Sequence, residues 1–327
     1  MAVTIKDVAK EAGVSAATVS RVLNNSGYAH EDTRISVLEA IQKLNYKPNE
    51  VARSLFKQKS KLVGLILPDI TNPFFPALAR GVEDYLREEG YRLLIGNSDE
   101  HLEQEIEYLE TFIQHNVVGI IASVNEAHNE ILSELNSPVV MIDRTIENLP
   151  AVYADQYEGG RLAAEKIVEL GSREITVIRG PVEVRPVYER FVASYQVLRK
   201  ADVKVNIFDS KLTFADATKS VKTLFEQFPN TDGVLACNDI VAVAVMNEAQ
   251  RTGRIIPEDV QVIGFDDISI CELVNPGLST IRQPAYEMGV KAAEILVKKI
   301  NQEVLPGLHC KLPVEFIERK STRKVGD

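Results

Sequence analysis

From Leu62 onward, short apolar runs alternate with amphipathic helical stretches, and this rhythm limits what the chain can fold into. LVGLILP begins at Leu62, YRLLIGN at Tyr91, VVGIIAS at Val117, PVVMIDR at Pro138 and AVYAD at Ala151. A second set follows: ITVIRG from Ile175, VKVNIFD from Val203, GVLACND from Gly233 and VQVIGFD from Val260. The stretches between them have helical periodicity, one from after Pro76 to about Glu89 and another from His101 to His115. Strands that are apolar on both faces need helices on both faces, so the pattern predicts doubly wound parallel sheets and an α/β fold. About 265 residues in two such sets exceed one hydrophobic core and predict two lobes. There is no low-complexity tract and no short tandem repeat.

The first sixty residues are of another kind. Thr4 is a good N-cap, with Asp7 three residues on, for a helix over 5–11 that Gly13 ends. Ser15 caps a second helix over 16–23, and Val8 and Ala12 can pack on Val19 and Val22. A loop at 24–27 precedes a third helix over 32–44 with Ile35, Val37, Leu38, Ile41 and Leu44 as its apolar positions. Pro48 then breaks the chain, and NEVARSLFKQKSK after it is helix-compatible but too poor in apolar residues for a core. Helix, glycine-containing turn, helix is the pattern in which the second helix enters the DNA major groove and its N-terminal residues meet base edges. The exposed candidates are Ser15, Ala16, Ala17, Thr18, Ser20 and Arg21; Arg21 suits guanine, and the two alanine methyls suit a thymine methyl. A small helical bundle without a DNA role has the same pattern. Charge is distributed accordingly. Residues 1–61 carry ten Lys and Arg against six Asp and Glu, a balance of +4, while the remainder carries 27 against 41, a balance of −14.

Hydrophobic residues make up 45% of the 327, which excludes global disorder. No apolar run is long enough for a bilayer, and the opening MAVTIKDVAK has no signal-peptide core, so a cytoplasmic protein without membrane partners is expected. Cys237, Cys271 and Cys310 are few and scattered, without zinc spacing and without a disulfide expected in a reducing compartment. The five histidines form no metal-binding or nucleophile–base arrangement, and no phosphate-cradling glycine motif occurs. Neither enzyme activity, a cofactor nor a metal is expected.

The N-terminal stretch resembles the head of the LacI family of transcription regulators. The likeness is carried by T-I-K-D-V-A, A-G-V-S and T-V-S-R-V-L-N, followed by H-E-D-T-R, L-N-Y-K-P-N and V-A-R-S-L, almost without a gap over 4–55. His30 departs from the Ser or Ala common ahead of the third helix. The resemblance adds Thr4, Asn24, Arg53 and Leu55 to the DNA-facing candidates. It implies that V-A-R-S-L is a hinge helix formed by paired heads on an operator, with Leu55 wedged into the minor groove. An isolated helix this short does not hold in water, which fits folding on DNA. Double-stranded operator DNA and a homodimer are the implied partners.

The α/β remainder resembles periplasmic sugar-binding proteins, nearest to those that take ribose. Ligands of open α/β sheets bind beyond the carboxyl ends of the strands, and polar residues cluster there. Asn72, Phe74, Phe75, Asp143, Arg144, Arg190, Phe214, Asn238, Asp266 and Gln283 match ligand-contacting positions of the ribose pattern without substitution. Aromatic faces stack on sugar C–H groups, and charged or amide groups answer the hydroxyls. Taken singly, Asn238 and Asp266 also suit caps or turns, Phe74 and Phe75 a core, and Asp143–Arg144 a structural ion pair. Asp239 and Asp267 read as helix caps. The organisation expected is a head over 1–47, a hinge and linker over 48–61, one lobe from 62–157 with 284–315, and a second from 158–283 with 316–327. The function implied is a repressor of ribose genes governed by ribose or a phosphorylated pentose. A catabolite control regulator working with a phosphorylated carrier protein is the alternative. Family members bind DNA with or without their ligand, so inducer and co-repressor both stay open.

Overall fold

The computed structural model describes residues 3–24, 26, 28–46, 60–124, 131–132, 135 and 137–324. The chain divides into two compact units, 1–60 and 61–327.

The first unit holds α1 (Ile5–Glu11), α2 (Ala16–Asn24) and α3 (Glu31–Lys43). Thr4 starts α1: its backbone N–H and its hydroxyl both donate to Asp7 Oδ2, at 2.8 and 2.7 Å. Gly13 takes a left-handed φ of +67°, which lets the chain turn directly into α2. Ser15 Oγ accepts from the Thr18 amide at 3.1 Å and satisfies one of the free donors that begin α2. Val8, Ala9, Val19, Val22, Val37 and Ala40 form the core of this small bundle. Ile41 and Leu44 pack against it, while Ile35 and Leu38 on α3 are exposed.

The second unit begins with β1 (Leu62–Leu67), α4 (Phe74–Glu88), β2 (Arg92–Asn97), α5 (Leu102–Gln114), β3 (Gly119–Ala122), β4 (Val139–Ile142) and β5 (Ala151–Ala154). It continues with α6 (Gln156–Glu169), β6 (Glu174–Arg179), α7 (Arg185–Leu198), β7 (Lys204–Asp209), α8 (Phe214–Ser220), α9 (Leu224–Gln227), β8 (Gly233–Leu235), α10 (Asp239–Arg251) and β9 (Gln261–Asp266). The last elements are α11 (Ile270–Leu273), β10 (Ser279–Arg282), α12 (Ala285–Ile300), β11 (His309–Leu312) and β12 (Glu315–Ile317). Two six-stranded sheets result, in the orders β11-β5-β4-β3-β1-β2 and β12-β10-β9-β8-β6-β7. Among the described residues, all pairings are parallel except β10 with β12. The chain crosses between the sheets three times: from β5 into α6, from β10 into α12, and from β11 into β12.

Central strands β3, β4 and β9 are buried throughout, as their unbroken apolar runs require. Pro76 does not precede α4 but sits inside it, because the first turn of a helix needs no intrahelical N–H bond. The helix therefore opens on Phe74 and Phe75, directly beyond the carboxyl end of β1.

Two helix crossings are close enough to demand glycine. A Cβ on Gly81 would stand 2.1 Å from the carbonyl oxygen of Tyr286, and one on Gly289 2.1 Å from that of Leu78. These reciprocal contacts seat α12 on α4. In the other lobe a Cβ on Gly160 would stand 2.3 Å from the Arg190 carbonyl oxygen, so α6 and α7 touch backbone to backbone at the residue that carries Arg190. Interiors at crystal-like density do not absorb an added methyl against backbone. Gly289→Ala should lower the unfolding free energy by about 1–3 kcal/mol in a urea titration. Gly307→Ala, whose methyl would meet nothing within 4 Å, should stay within about 0.5 kcal/mol of the parent.

Candidate functional site

A cavity of about 560 Å³ lies at the carboxyl ends of the strands of both sheets. The first sheet contributes Asn72, Phe74 and Phe75 after β1, Asp99 and Glu100 after β2, and Asp143 and Arg144 after β4. The second contributes Arg190 from α7, Lys211 and Thr213 after β7, Asn238 after β8, and Asp266 ending β9. Eight of the ten sugar-pattern residues thus line one space.

The aromatic pair comes from the start of α4. Phe74 and Phe75 stand edge to face at 5.1 Å, with Phe74 buried in the lobe core as well as lining the cavity. Asn72 fixes their backbone: its Oδ1 accepts from the Phe74 amide at 3.1 Å. Asn238 likewise caps α10 by accepting from the Val241 amide at 2.8 Å, and its Nδ2 donates to the Leu212 carbonyl at 3.3 Å. The cap reading and the cavity reading therefore hold for one side chain.

Charged groups occupy the interior. Arg190 is buried. Its guanidinium lies 3.8 Å from the centre of the Phe265 ring, its Nε donates to Gln156 Oε1 at 2.6 Å, and its Nη1 donates to the Cys237 carbonyl at 2.9 Å. Asp266 Oδ1 stands 3.5 Å from Arg190 Nη1 and accepts from Gln283 Nε2 at 2.7 Å. Gln283 Oε1 in turn accepts from Gln156 Nε2 at 2.7 Å, which closes a ring of four side chains. Arg144 is buried and forms its ion pair with Glu100. Asp143 adopts a left-handed φ of +63°, is buried, and its Oδ1 has no hydrogen-bond partner among the described residues. Such an acceptor, cut off from water and facing a cavity, calls for a donor.

Burial raises the pKa of both acids. For Asp143 it outweighs the Arg190 and Arg144 charges. Asp266 is pushed up to about 6, again by burial, with Arg190 pulling it back and Asp143 adding to the rise. Asp239, behind the cavity, goes further for the same reason and because the Asp266 carboxyl is close.

Several assignments change with the structure. Phe214 is 57% exposed at the start of α8 and does not line the cavity, although its neighbour Thr213 does. Gln283 lies outside the lining and reaches it through Asp266. Asp239 is no cap: its two oxygens accept from Thr280 Oγ1 at 2.6 Å and from the Ile268 amide at 2.9 Å. Asp267 is paired at 2.7 Å with both Arg282 and Arg319. Sequence reasoning missed Gln156 and Glu100. Gln156 has a signal in retrospect: it follows the N-cap Asp155 at the point where the chain leaves the first sheet.

In the head, Val19 and Val22 turn α2 inward, leaving Ser15, Ala17 and Arg21 exposed. Thr18 and Ser20 are half-buried, and Thr18 Oγ1 bonds Ser15 Oγ at 2.9 Å. Ala16 packs partly against the head core, which reduces the methyl surface it offers. Thr4 is exposed and engaged with Asp7. Asn24 ends α2. Arg53 and Leu55 lie outside the described residues. No helix of the described residues is long and apolar enough to cross a membrane, and no group of three or more His, Cys, Asp or Glu among them is placed to hold a metal.

Two family models match the chain: bacterial regulatory proteins of the lacI family over residues 4–49, and a periplasmic binding protein-like domain over 164–322. The ribose operon repressor of Bacillus subtilis (strain 168) is 52% identical over 322 residues, covering 98% of this chain and 99% of that one. Catabolite control protein A of Priestia megaterium is 34% identical over 333 residues, covering 99% of this chain and all of that one. Among solved structures, a LacI family transcriptional regulator from Enterococcus faecium with bound ribose superposes with a TM-score of 0.73 at 29% identity, covering 80% of this chain and 98% of that one. With two domain matches in order and end-to-end identity far above the level at which relationship is secure, the chain belongs to the LacI family of bacterial regulatory proteins.

Proposed function

We propose that the protein is a transcriptional repressor of ribose uptake and metabolism genes, acting as a cytoplasmic homodimer that reads operator DNA with α2 and is regulated by ribose in the two-sheet cavity. The carrying observation is the lining itself, in which Phe74, Phe75, Asp143, Arg144, Arg190 and Asp266 converge at strand ends. Arg144 and Arg190 donate to ring hydroxyls, Asp143 and Asp266 accept from them, and the phenylalanines cover a sugar face. The unpartnered Oδ1 of Asp143 is answered by one such hydroxyl. Likeness to the Bacillus repressor and to the ribose-bound Enterococcus regulator supports the same ligand. The protein is a binding switch and not an enzyme in this reading.

Charge favours the free sugar over its phosphate. The cavity is lined by six carboxylates, Asp69, Asp99, Glu100, Asp143, Asp216 and Asp266, against Arg144, Arg190 and Lys211. A phosphate would add up to two further negative charges there. Ribose 5-phosphate should therefore bind at least about tenfold more weakly than D-ribose by calorimetry, a difference of about 1.4 kcal/mol.

On the DNA side, Ser15, Ala17, Thr18, Ser20 and Arg21 meet base edges, with Ala16 contributing its remaining exposed methyl. Thr4 and Asn24 contact the backbone, and Arg53 and Leu55 act in the hinge, Leu55 as the minor-groove wedge. One head reads one half-site, so two copies are needed for a palindromic operator. The proposed partition is a head over 1–47, a hinge over 48–61 and two lobes exchanging segments near 157, 284 and 315.

Three measurements check this reading. Arg190→Ala removes charge-assisted hydrogen bonds contributing about 1.5–3 kcal/mol each and should weaken D-ribose binding at least about tenfold, read by calorimetry on a variant shown by its thermal melt to be folded. Full ribose affinity in that variant would contradict the site. D-ribose affinity should fall as pH drops below about 6. There the buried Asp266 carboxyl holds its proton in the empty site, and binding through the carboxylate must first release it, costing up to about tenfold per pH unit. Arg21→Ala should relax preference at one operator base pair by about 1–3 kcal/mol, read from binding to operators varied at that position. Should D-ribose fail to bind at millimolar concentration while a phosphorylated carrier protein tightens operator binding, the catabolite-control reading replaces this one.

A further inference from the structure

The ring of side chains behind the cavity joins parts of the fold that do different things. Arg190 and Asp266 line the cavity. Gln156 opens α6 at the first crossing between the sheets, and Gln283 follows β10 at the second. All four are buried. A guanidinium can only donate and a carboxylate can only accept, so the direction of every bond between them is forced. Gln156 turns its oxygen to Arg190 and its nitrogen to Gln283; Gln283 turns its oxygen to Gln156 and its nitrogen to Asp266. Reversing either amide would set oxygen against oxygen or nitrogen against nitrogen, so the relay has one low-energy polarity.

Rotation of one lobe against the other changes backbone angles only where the chain crosses between them. The Gln156–Gln283 bond ties two of the three crossings together, and the ends of the relay are the charged groups that meet the ligand. We propose that Gln156 is a positioning residue through which ligand occupancy sets the angle between the lobes, and hence the affinity for operator. This rests on the ribose reading above. An empty site leaves Arg190 and Asp266 to hold the relay alone. Sugar hydroxyls that accept from Arg190 and donate to Asp266 draw charge from both ends of the relay at once, and Gln156 and Gln283 stand at the two crossings where that change arrives.

The test uses the full chain with D-ribose and a palindromic operator duplex. The ribose dissociation constant is measured by calorimetry with and without saturating operator, and their ratio is the coupling factor, which linkage makes reciprocal. Gln156→Leu removes both relay bonds, and Gln156→Glu keeps the acceptor for Arg190 but cannot donate to Gln283. A residue that merely orients Arg190 would shift both dissociation constants together and leave their ratio alone. The expected result is a change of at least about fivefold in the ratio for Gln156→Glu, with ribose affinity in the absence of operator kept within about threefold of the parent. Thermal melts report whether each variant is folded, and Gln156→Glu carries the test if Gln156→Leu is not. A ratio equal to the parent's in the folded variants overturns the inference while leaving ribose as the effector. A parent ratio of one also overturns it. A parent that binds operator but no D-ribose overturns the effector reading and this inference with it.

Discussion

A charged guanidinium removed from water must have its plane and its hydrogens answered by protein, and around Arg190 that demand reaches into several elements. Its face rests on Phe265 of β9, its hydrogens go to Gln156 of α6 and to the Cys237 carbonyl beyond β8, and Asp266 balances its charge. The backbone beneath it is pressed against Gly160, where no side chain fits. An unmatched buried charge costs several kcal/mol, so this arrangement ties β8, β9, α6 and α7 together at one point.

The same demand acts on the uncharged polar groups of the cavity wall. Asn72 spends part of its hydrogen-bonding capacity on the Phe74 amide, and Asn238 on capping α10. Their side chains therefore hold fixed directions before any ligand arrives. Preorganisation of this sort reduces the ordering cost of binding, which for a small, strongly hydrated sugar is a large share of the free energy available.

Much of this was legible in the sequence because buried parallel strands leave a strong apolar signature. The nine strands read from LVGLIL to VIGFD all form, and LSTIR supplies a tenth at β10. HCKL and EFI were not read as strands, since they are short edge strands whose residues alternate or sit half-exposed. Pro76 misdirected the start of α4, because proline is as much at home in a first helical turn as before one. The strand-end residues that line the cavity were legible as a set. Gln156 was not, because an amide opening a helix looks like any surface residue until Gln283, 127 positions away, is seen beside it. Asp239 and Asp267 looked like caps by position alone; their partners come from β10, the loop after β9 and the C-terminal segment.

The threefold crossing of the chain has a consequence for how the protein is made. The first sheet is not complete until β11 pairs with β5, and α4 has no cover until α12 docks on it through Gly81 and Gly289. Residues from 62 to 154 therefore leave the ribosome with one edge of their sheet unpaired and one helix face bare, and they wait for more than 130 further residues before either is closed. The second sheet, which lacks only β12 once β10 has emerged, can close almost as it is synthesised. The earlier lobe can thus be finished only after β6 to β10 of the later lobe have all been translated, so most of the later framework is available before the earlier one closes.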